Sequence, residues 1–491
     1  MPDVASRWYG PDEHEPTMAL CEHLARATYD DIPDESRAYA TRSIMDSFGI
    51  ALAGSDSPSV RMALGLVRDW AGKPEARLLV TGERVPAPNA ALVNTAMARA
   101  RLLDDMEEGV GDHPTVAPLH AAVAAAEMAG GCSGKQLIAA VTLASDLILR
   151  IRYALHSETR AFAWCTESFA PLAAAVAVGK VWGFDANGFA DALGIAYQQL
   201  SSTWLMHQEG ASIHHLQHGL AAHNGLLSAL FARGGIKGTR NMIEREYGMI
   251  HALGSTAYDR SLLLDGLGKH YRNVDITLKR YPAAGFTCFA IDGVRELLRR
   301  HALSATDVQS ATVYVNERAY LRACQPEAIK RRPPSLVHAQ MSIPYTVAAT
   351  IVRGDFFLDE LTPESLTDPA ILSMAERVRC VVDPELDKLD TVVAPLKLEL
   401  HLTNGETRGM RVDYPRGHAR NPMTLDEIAE KFRRCAGYAE QPLDQANVEK
   451  AIAALRRLES VPDVRDVMTL LTVKRKRAGT APAKRRRTAR K

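Results

Sequence analysis

The sequence predicts a mainly α protein with an inserted α+β domain, in which a large helical domain from both chain ends holds a smaller α+β lid domain. Three observations predict it. From residue 15 to about 265, apolar residues recur at helical spacing and small residues crowd the helix interiors. From about 270 the pattern turns to alternating β-branched residues. After Pro422 helical spacing returns. The expected boundaries are an N-terminal extension at 1–14, the helical domain at 15–269, the lid at 270–414, the rest of the helical domain at 415–472 and a basic tail at 473–491.

Each element has its own signal. Residues 37–54 place Ala40, Ile44, Phe48 and Ala51 on one face and stop at Gly54. Residues 89–103 are Ala-rich at helical spacing. Ser133-Gly-Lys-Gln136 is a capping box that opens a helix through Leu137, Val141, Leu147 and Ile148. Residues 169–181 and 189–200 read as two further buried helices, and their small residues imply close helix–helix packing. In the lid, 309–315 and 377–382 read as strands, and 396–413 as a hairpin turning at Asn404-Gly405, where both residues tolerate positive φ. Helices are expected at 286–300 and 342–353. Thr424-Leu-Asp-Glu427 is a second capping box, followed by helices at 428–436 and 448–458.

Composition excludes several classes. An apolar content of 46% argues for a packed globular chain and against disorder. No stretch approaches the roughly 20 apolar residues of a membrane span, and the opening residues lack a secretory pattern. Seven cysteines without a Cys-x-x-Cys predict reduced thiols and a cytoplasmic address. Ten basic residues and no acid lie in 474–491, so the rest of the chain carries 49 basic against 58 acidic side chains. An acidic body is not a nucleic-acid-binding fold. The tail is expected to be disordered, and nucleic acid or an anionic surface is expected only there.

Four segments carry chemistry. His214, His215, His218 and His223 fall within ten residues in an apolar setting that reads as a packed helix, which suggests proton transfer and an anion site. No carboxylate accompanies them at ligand spacing, so no metal is assigned. Residues 102–120 bring Asp104 and Asp105 to a helix end, and His113 and His120 flank a Pro-containing turn. Cys165 lies in Trp164-Cys-Thr-Glu167. Lys279, Arg280 and Tyr281, at the domain junction, are suited to hold a carboxylate and donate a proton.

These segments resemble the MmgE/PrpD family, which includes 2-methylcitrate dehydratase, cis-aconitate decarboxylase and iminodisuccinate epimerase. The resemblance covers about residues 15–470 and rests on residues 42–54, Leu103-Asp-Asp105, Ala117-Pro-Leu-His120, 217–227, Lys279-Arg-Tyr-Pro282 and 415–423. It implies a homodimer, no cofactor and a small di- or tricarboxylate substrate. The family's acidic pair falls on Asp104 and Asp105, its loop histidine on His120, its junction lysine on Lys279 and its lid tyrosine on Tyr345.

The chain departs from the decarboxylase pattern, with Cys165 and Cys288 at commonly histidine positions, His214 at a lysine position and Met106 at a threonine position. Dehydration is therefore the favoured reaction. Epimerisation or isomerisation, or decarboxylation of a related acid, is the alternative, and a catalytically silent binding homologue is the second. In the expected mechanism, Lys279 with His214 or His215 neutralises enolate-like charge. His120 exchanges the proton, oriented by Asp104 or Asp105, and Tyr345 is a second donor. Cys165, His215, Arg280 and Tyr281 are expected to bind substrate.

Overall fold

The computed structural model describes residues 16–155, 166–253, 258–389 and 393–473. Cys165 and the basic tail 474–491 lie outside the described residues, as does the expected extension at 1–14. The described chain is mainly helical, with a two-stranded antiparallel pair, Ala76–Arg77 with Arg84–Val85, and one four-stranded mixed sheet.

The helical part comprises α1 (Pro16–Arg26), α2 (Asp34–Gly54), α3 (Pro58–Trp70), α4 (Ala87–Arg99), α5 (Val116–Ala129), α6 (Gly134–Ala154), α7 (Ala170–Val181), α8 (Ala186–Tyr197) and α9 (Gln217–Arg233). Helix α9 packs against α7, α4 and α8, while α5 and α6 pack against α7. Glycine permits these approaches. A Cβ on Gly225 would stand 2.4 Å from the Ala174 Cβ, and one on Gly219 would stand 2.5 Å from the Leu92 carbonyl. The Ser133 cap forms as expected: the Gln136 N–H donates to Ser133 Oγ at 3.2 Å, and the Ser133 N–H donates to Gln136 Oε1 at 2.9 Å.

The histidine segment is not one helix. Ser212–His215 forms a 3-10 turn, and α9 begins at Gln217. His214 packs edge-on to His207 at 4.4 Å, and His218 packs edge-on to His113 at 5.6 Å, so the helical pairing of His214 with His218 does not arise.

The sheet has strands β1 (Val308–Val315), β2 (Val378–Val382), β3 (Leu396–Leu402) and β4 (Thr407–Val412), in the order β2-β1-β3-β4. Strands β1 and β2 are parallel, and the other pairs are antiparallel. Leu396, Leu398, Leu400 and Leu402 face the core, while the residues between them are half-exposed. The β3–β4 turn differs from expectation. Leu402 N–H donates to Glu406 O at 2.8 Å and only Gly405 takes positive φ, at +87°. The loop thus has three residues, Thr403 to Gly405, with glycine alone needed in the left-handed position. Helices α10 (Gly285–His301) and α11 (Ile343–Arg353) pack on each other, α10 against β3 and β4 and α11 against β2.

Helix α12 (Leu425–Ala436) starts at a capping box, where Glu427 N–H donates to Thr424 Oγ1 at 3.2 Å. It packs on α2, and α13 (Gln445–Leu455) packs on both. The buried apolar residues form two clusters. One combines residues from 20 to 278 and from 423 to 471 with Phe357 and Leu358; the other, Met106 apart, takes its members from 281–412. Met106 belongs to the second cluster, although Leu103 and Val110 beside it belong to the first. It is tied across by a two-way bridge: Met106 N–H donates to Thr277 O at 2.8 Å, and Thr277 N–H donates to Met106 O at 2.6 Å.

Candidate active site

Where the two clusters meet, a cavity of about 220 Å³ opens. Arg99 from the end of α4, His113 from the following loop, Arg152 from α6, Glu167, His207, His214, Lys279, Arg318 and Arg322 line it together with apolar residues.

Arg99 organises the floor. Its guanidinium is 2% exposed and donates to Asp104 Oδ2 at 2.6 Å, Glu167 Oε1 at 2.8 Å and His214 Nε2 at 2.8 Å. Lys279 Nζ stands 3.5 Å from Asp104 Oδ1 and donates to Leu102 O at 3.2 Å. Burial alone would raise the Asp104 carboxyl, but Arg99, Lys279 and His113 hold it well below the usual range. Burial also opposes ionisation of Glu167, which the adjacent His207 and Arg99 keep well below its usual range. A second buried lysine braces this floor from α12. Lys431 pairs with Asp46 at 2.8 Å and donates to Lys279 O at 2.6 Å and Leu103 O at 3.3 Å.

His113 was visible in the sequence as a flank of the turn, but it was not assigned a role. Its Nδ1 lies 2.5 Å from Asp105 O and 3.0 Å from Asp104 Oδ2. Both neighbours are acceptors, so Nδ1 carries the proton, and the unprotonated Nε2 stands 3.3 Å from Arg99 Nη1. Burial and Arg99 lower its pKa. The signal that could have found it is its spacing from the acidic pair within one loop.

The other expected residues are placed as follows. His120 does not line the cavity. It is fully buried, with Nε2 3.3 Å from Ser47 Oγ and its ring edge-on to Phe48 at 5.7 Å. Burial pushes it down to about 3, and Ser47 rather than Asp104 or Asp105 is its partner. Asp105 is also buried behind the floor; neither carboxyl oxygen has a hydrogen-bond partner among the described residues, and burial pushes it up to about 8. His214 lines the cavity, yet burial and the Arg99 guanidinium hold it neutral, so it does not supply the expected positive charge. His215 packs near Ser59, 3.4 Å away, outside the cavity lining.

Tyr345 is fully buried in the sheet-side core and donates to Glu360 O at 2.7 Å, so its hydroxyl is directed away from the cavity lining. Tyr281 donates to Asp292 Oδ1 at 2.6 Å, and Arg280 lines a different, more open cavity with Asp292 and Arg295. Cys288 is buried, its thiol pushed up by burial to about 12, and it acts as packing.

The histidines do have a carboxylate in space. Glu167, His207 and His214 bring one ligand atom each to within 4.8 Å of one another, a set of the type that binds divalent transition metals. The expectation of histidines without a carboxylate is thus corrected, because the partner comes from a segment about 40 residues earlier in the sequence. A buried guanidinium already bridges Glu167 and His214, so a divalent ion there would have to displace Arg99.

Comparison with known sequences agrees with this architecture. The MmgE/PrpD N-terminal domain matches residues 18–260, and the MmgE/PrpD C-terminal domain matches residues 281–457. The chain belongs to the MmgE/PrpD family. It is similar to the cis-aconitate decarboxylase-like protein oryM of Aspergillus oryzae, with 27% identity over 93% of this chain and 97% of the relative. It is also similar to the cis-aconitate decarboxylase of Aspergillus terreus, at 25% identity over 92% and 95% of the two chains. The human cis-aconitate decarboxylase is 25% identical over 88% of this chain and 89% of its own length. Among the described residues no helix is long and apolar enough to cross a membrane.

Proposed function

We propose that the chain is a lyase that acts on a small carboxylate-bearing acid by proton transfer at the carbon next to a carboxylate or carbonyl. The observation that carries this reading is the meeting of His113 and Lys279 on one carboxylate, Asp104, at the floor of a cationic cavity. A substrate carboxylate is held by Lys279, Arg99 and Arg152, whose positive charge also stabilises an enolate-like intermediate. Exchange of the proton is assigned to His113 in place of His120, because its ring lines the cavity, its Nδ1 is held by Asp104 and Asp105 O, and its unprotonated Nε2 lies 3.3 Å from Arg99 Nη1. Asp104 orients this ring and Lys279 together.

Loss of carbon dioxide is the first reaction to test, since several similar proteins are named as cis-aconitate decarboxylases. In that reaction His113 Nε2 takes a proton from solvent and passes it to the carbanion left behind, so the ring ends neutral as it began. Loss of water, favoured by the sequence departures, is the second reading and uses the same groups, with the histidine protonating the departing hydroxyl. Proton NMR in deuterated water over a panel of hydroxy and unsaturated di- and tricarboxylates distinguishes them. Decarboxylation deuterates the product carbon and releases carbon dioxide, and dehydration yields an alkene. Absence of both turnover and solvent exchange across the panel removes the lyase reading.

The active unit proposed is a homodimer. Ile213, Leu220 and Phe231 are exposed before and along α9, and so are Met62 and Leu66 on α3, which packs against the 212–215 turn. Light scattering on the purified chain should give twice the chain mass, and Leu220→Arg should lower it to one chain.

A further inference from the structure

A second cavity, of about 440 Å³, adjoins the catalytic one. Trp204, His207, Arg322 and Met341 line both, so these four residues stand between them. Trp204 is held there from two sides: its ring packs on His207 with centroids 4.3 Å apart, and the Arg322 guanidinium lies 4.2 Å from its centroid. Away from this partition the lining adds Lys330 and His338 among apolar residues, and among the described residues it includes no carboxylate. His338 closes the cavity against the helical part. A Cβ on Gly210, whose φ is +63°, would lie 2.6 Å from His338 Cε1, so the ring rests on bare backbone.

Three lysines are buried among the described residues: Lys279, Lys330 and Lys431. Lys279 stands 3.5 Å from Asp104, and Lys431 pairs with Asp46 at 2.8 Å. Lys330 is 6% exposed and pairs with no carboxylate among the described residues; its Nζ donates to Met341 O at 2.9 Å. Glu327, one turn away in sequence, is engaged by Arg331 at 3.0 Å. A carbonyl satisfies one N–H but cancels no charge, and an ammonium taken out of water without a counter-charge is costly. That cost shows in its acidity, because burial pushes Lys330 down to about 8. We propose that the second cavity is an anion site, in which Lys330 and Arg322 hold a small carboxylate or inorganic oxyanion as the counter-charge that the lining itself lacks. The site shares Arg322 with the catalytic cavity but is independent of the reaction there, since it stands on the charge and burial of the second cavity alone.

Lys330 can be read directly, because a neutral amine acylates and an ammonium does not. The full chain is treated briefly with succinimidyl acetate near pH 8, and acetylation is mapped by peptide mass spectrometry, with the exposed Lys450 as internal reference. Acetate, succinate, bicarbonate and phosphate are added in turn at constant ionic strength. A bound anion should slow acetylation of Lys330 about fivefold relative to Lys450 once it is present at about four times its Kd. Protection by acetate and succinate alone makes the occupant a carboxylate; equal protection by bicarbonate and phosphate makes it an inorganic oxyanion. Acetylation that none of the four slows overturns the site. Thermal melting gives a second reading that does not need the amine to react. Phosphate should raise the melting temperature of the unmodified chain and of Lys330→Arg more than that of Lys330→Met, which keeps the length of the side chain without its charge. An equal gain in Lys330→Met overturns the site, and the acetylation decides alone if that variant does not fold. None of these outcomes bears on the lyase reading, which the proton NMR panel decides separately.

Discussion

His113 and His120 lie seven residues apart at the two ends of one turn, yet they have little in common in the folded chain. His113 touches Arg99, Asp104 and the Asp105 carbonyl and faces the cavity. His120 sits one turn into α5, where burial is the single cause of its depressed pKa and Ser47 is its partner. The difference teaches that an imidazole becomes chemically useful through the charges gathered around it. Burial alone makes it a neutral packing group.

The contrast can be broken at several points. Arg99→Met removes the cation that compensates Asp104 and Glu167, leaving two buried carboxylates. Denaturant unfolding should show a loss of about 3–5 kcal/mol, and a loss under 1 kcal/mol would mean that those charges are compensated elsewhere. His113→Ala should lower turnover about 10²-fold or more on any acid that the NMR panel identifies, with little change in melting temperature. His120→Ala should do the reverse, costing about 2 kcal/mol of stability through lost packing while turnover stays within a few-fold. If the two variants exchange behaviours, the proton-transfer role returns to His120.

The smallest effect concerns pH. The Asp105 carboxyl is pushed up to about 8, so the folded chain keeps a proton that the unfolded chain loses near pH 4. That contribution is complete below about pH 4 and disappears as pH rises through about 8. His120 and His218, pushed down to about 3, act in the opposite sense, but only between about 3 and 6.5. Burial also pushes Glu108 up to about 8 and Asp112 up to about 7, so between pH 6.5 and 8 these carboxyls and Asp105 dominate, and stability should fall with pH. Asp105→Asn should reduce that slope by about 1 kcal/mol per pH unit, measured by unfolding at pH 6.5, 7.25 and 8. An unchanged slope would show that Asp105 is ionised in the folded chain.

Several helices and the four strands of the mixed sheet were legible because each rests on local rules. Capping boxes at Ser133 and Thr424 set helix starts, leucine alternation marked β3, and small residues in helix interiors announced close packing. Even there, the hairpin loop and the start of α9 shifted by a residue or more, since hydrogen bonding across the turn and tertiary contacts decide where regular structure begins. The family was legible too, from short segments in a fixed order. The site was legible in part: Asp104, Lys279 and His214 were named and are brought together, whereas Arg99, His113, Glu167 and His207 were not assigned. Arg99 gave no signal at the end of an alanine-rich helix, because nothing local says that two distant groups, Glu167 and His214, will join Asp104 around it.

By itself the amino-acid order determined which segments coil, which extend and which polar residues stand near turns, since those outcomes follow from spacing and neighbours within a few positions. Tertiary structure alone decided that His113 and not His120 meets the charged floor, that His214 stays neutral, and that Lys279 stands beside Asp104. Charge stabilisation and desolvation depend on separations of a few ångströms between groups up to about 180 residues apart, such as Asp104 and Lys279, and linear order does not encode those separations.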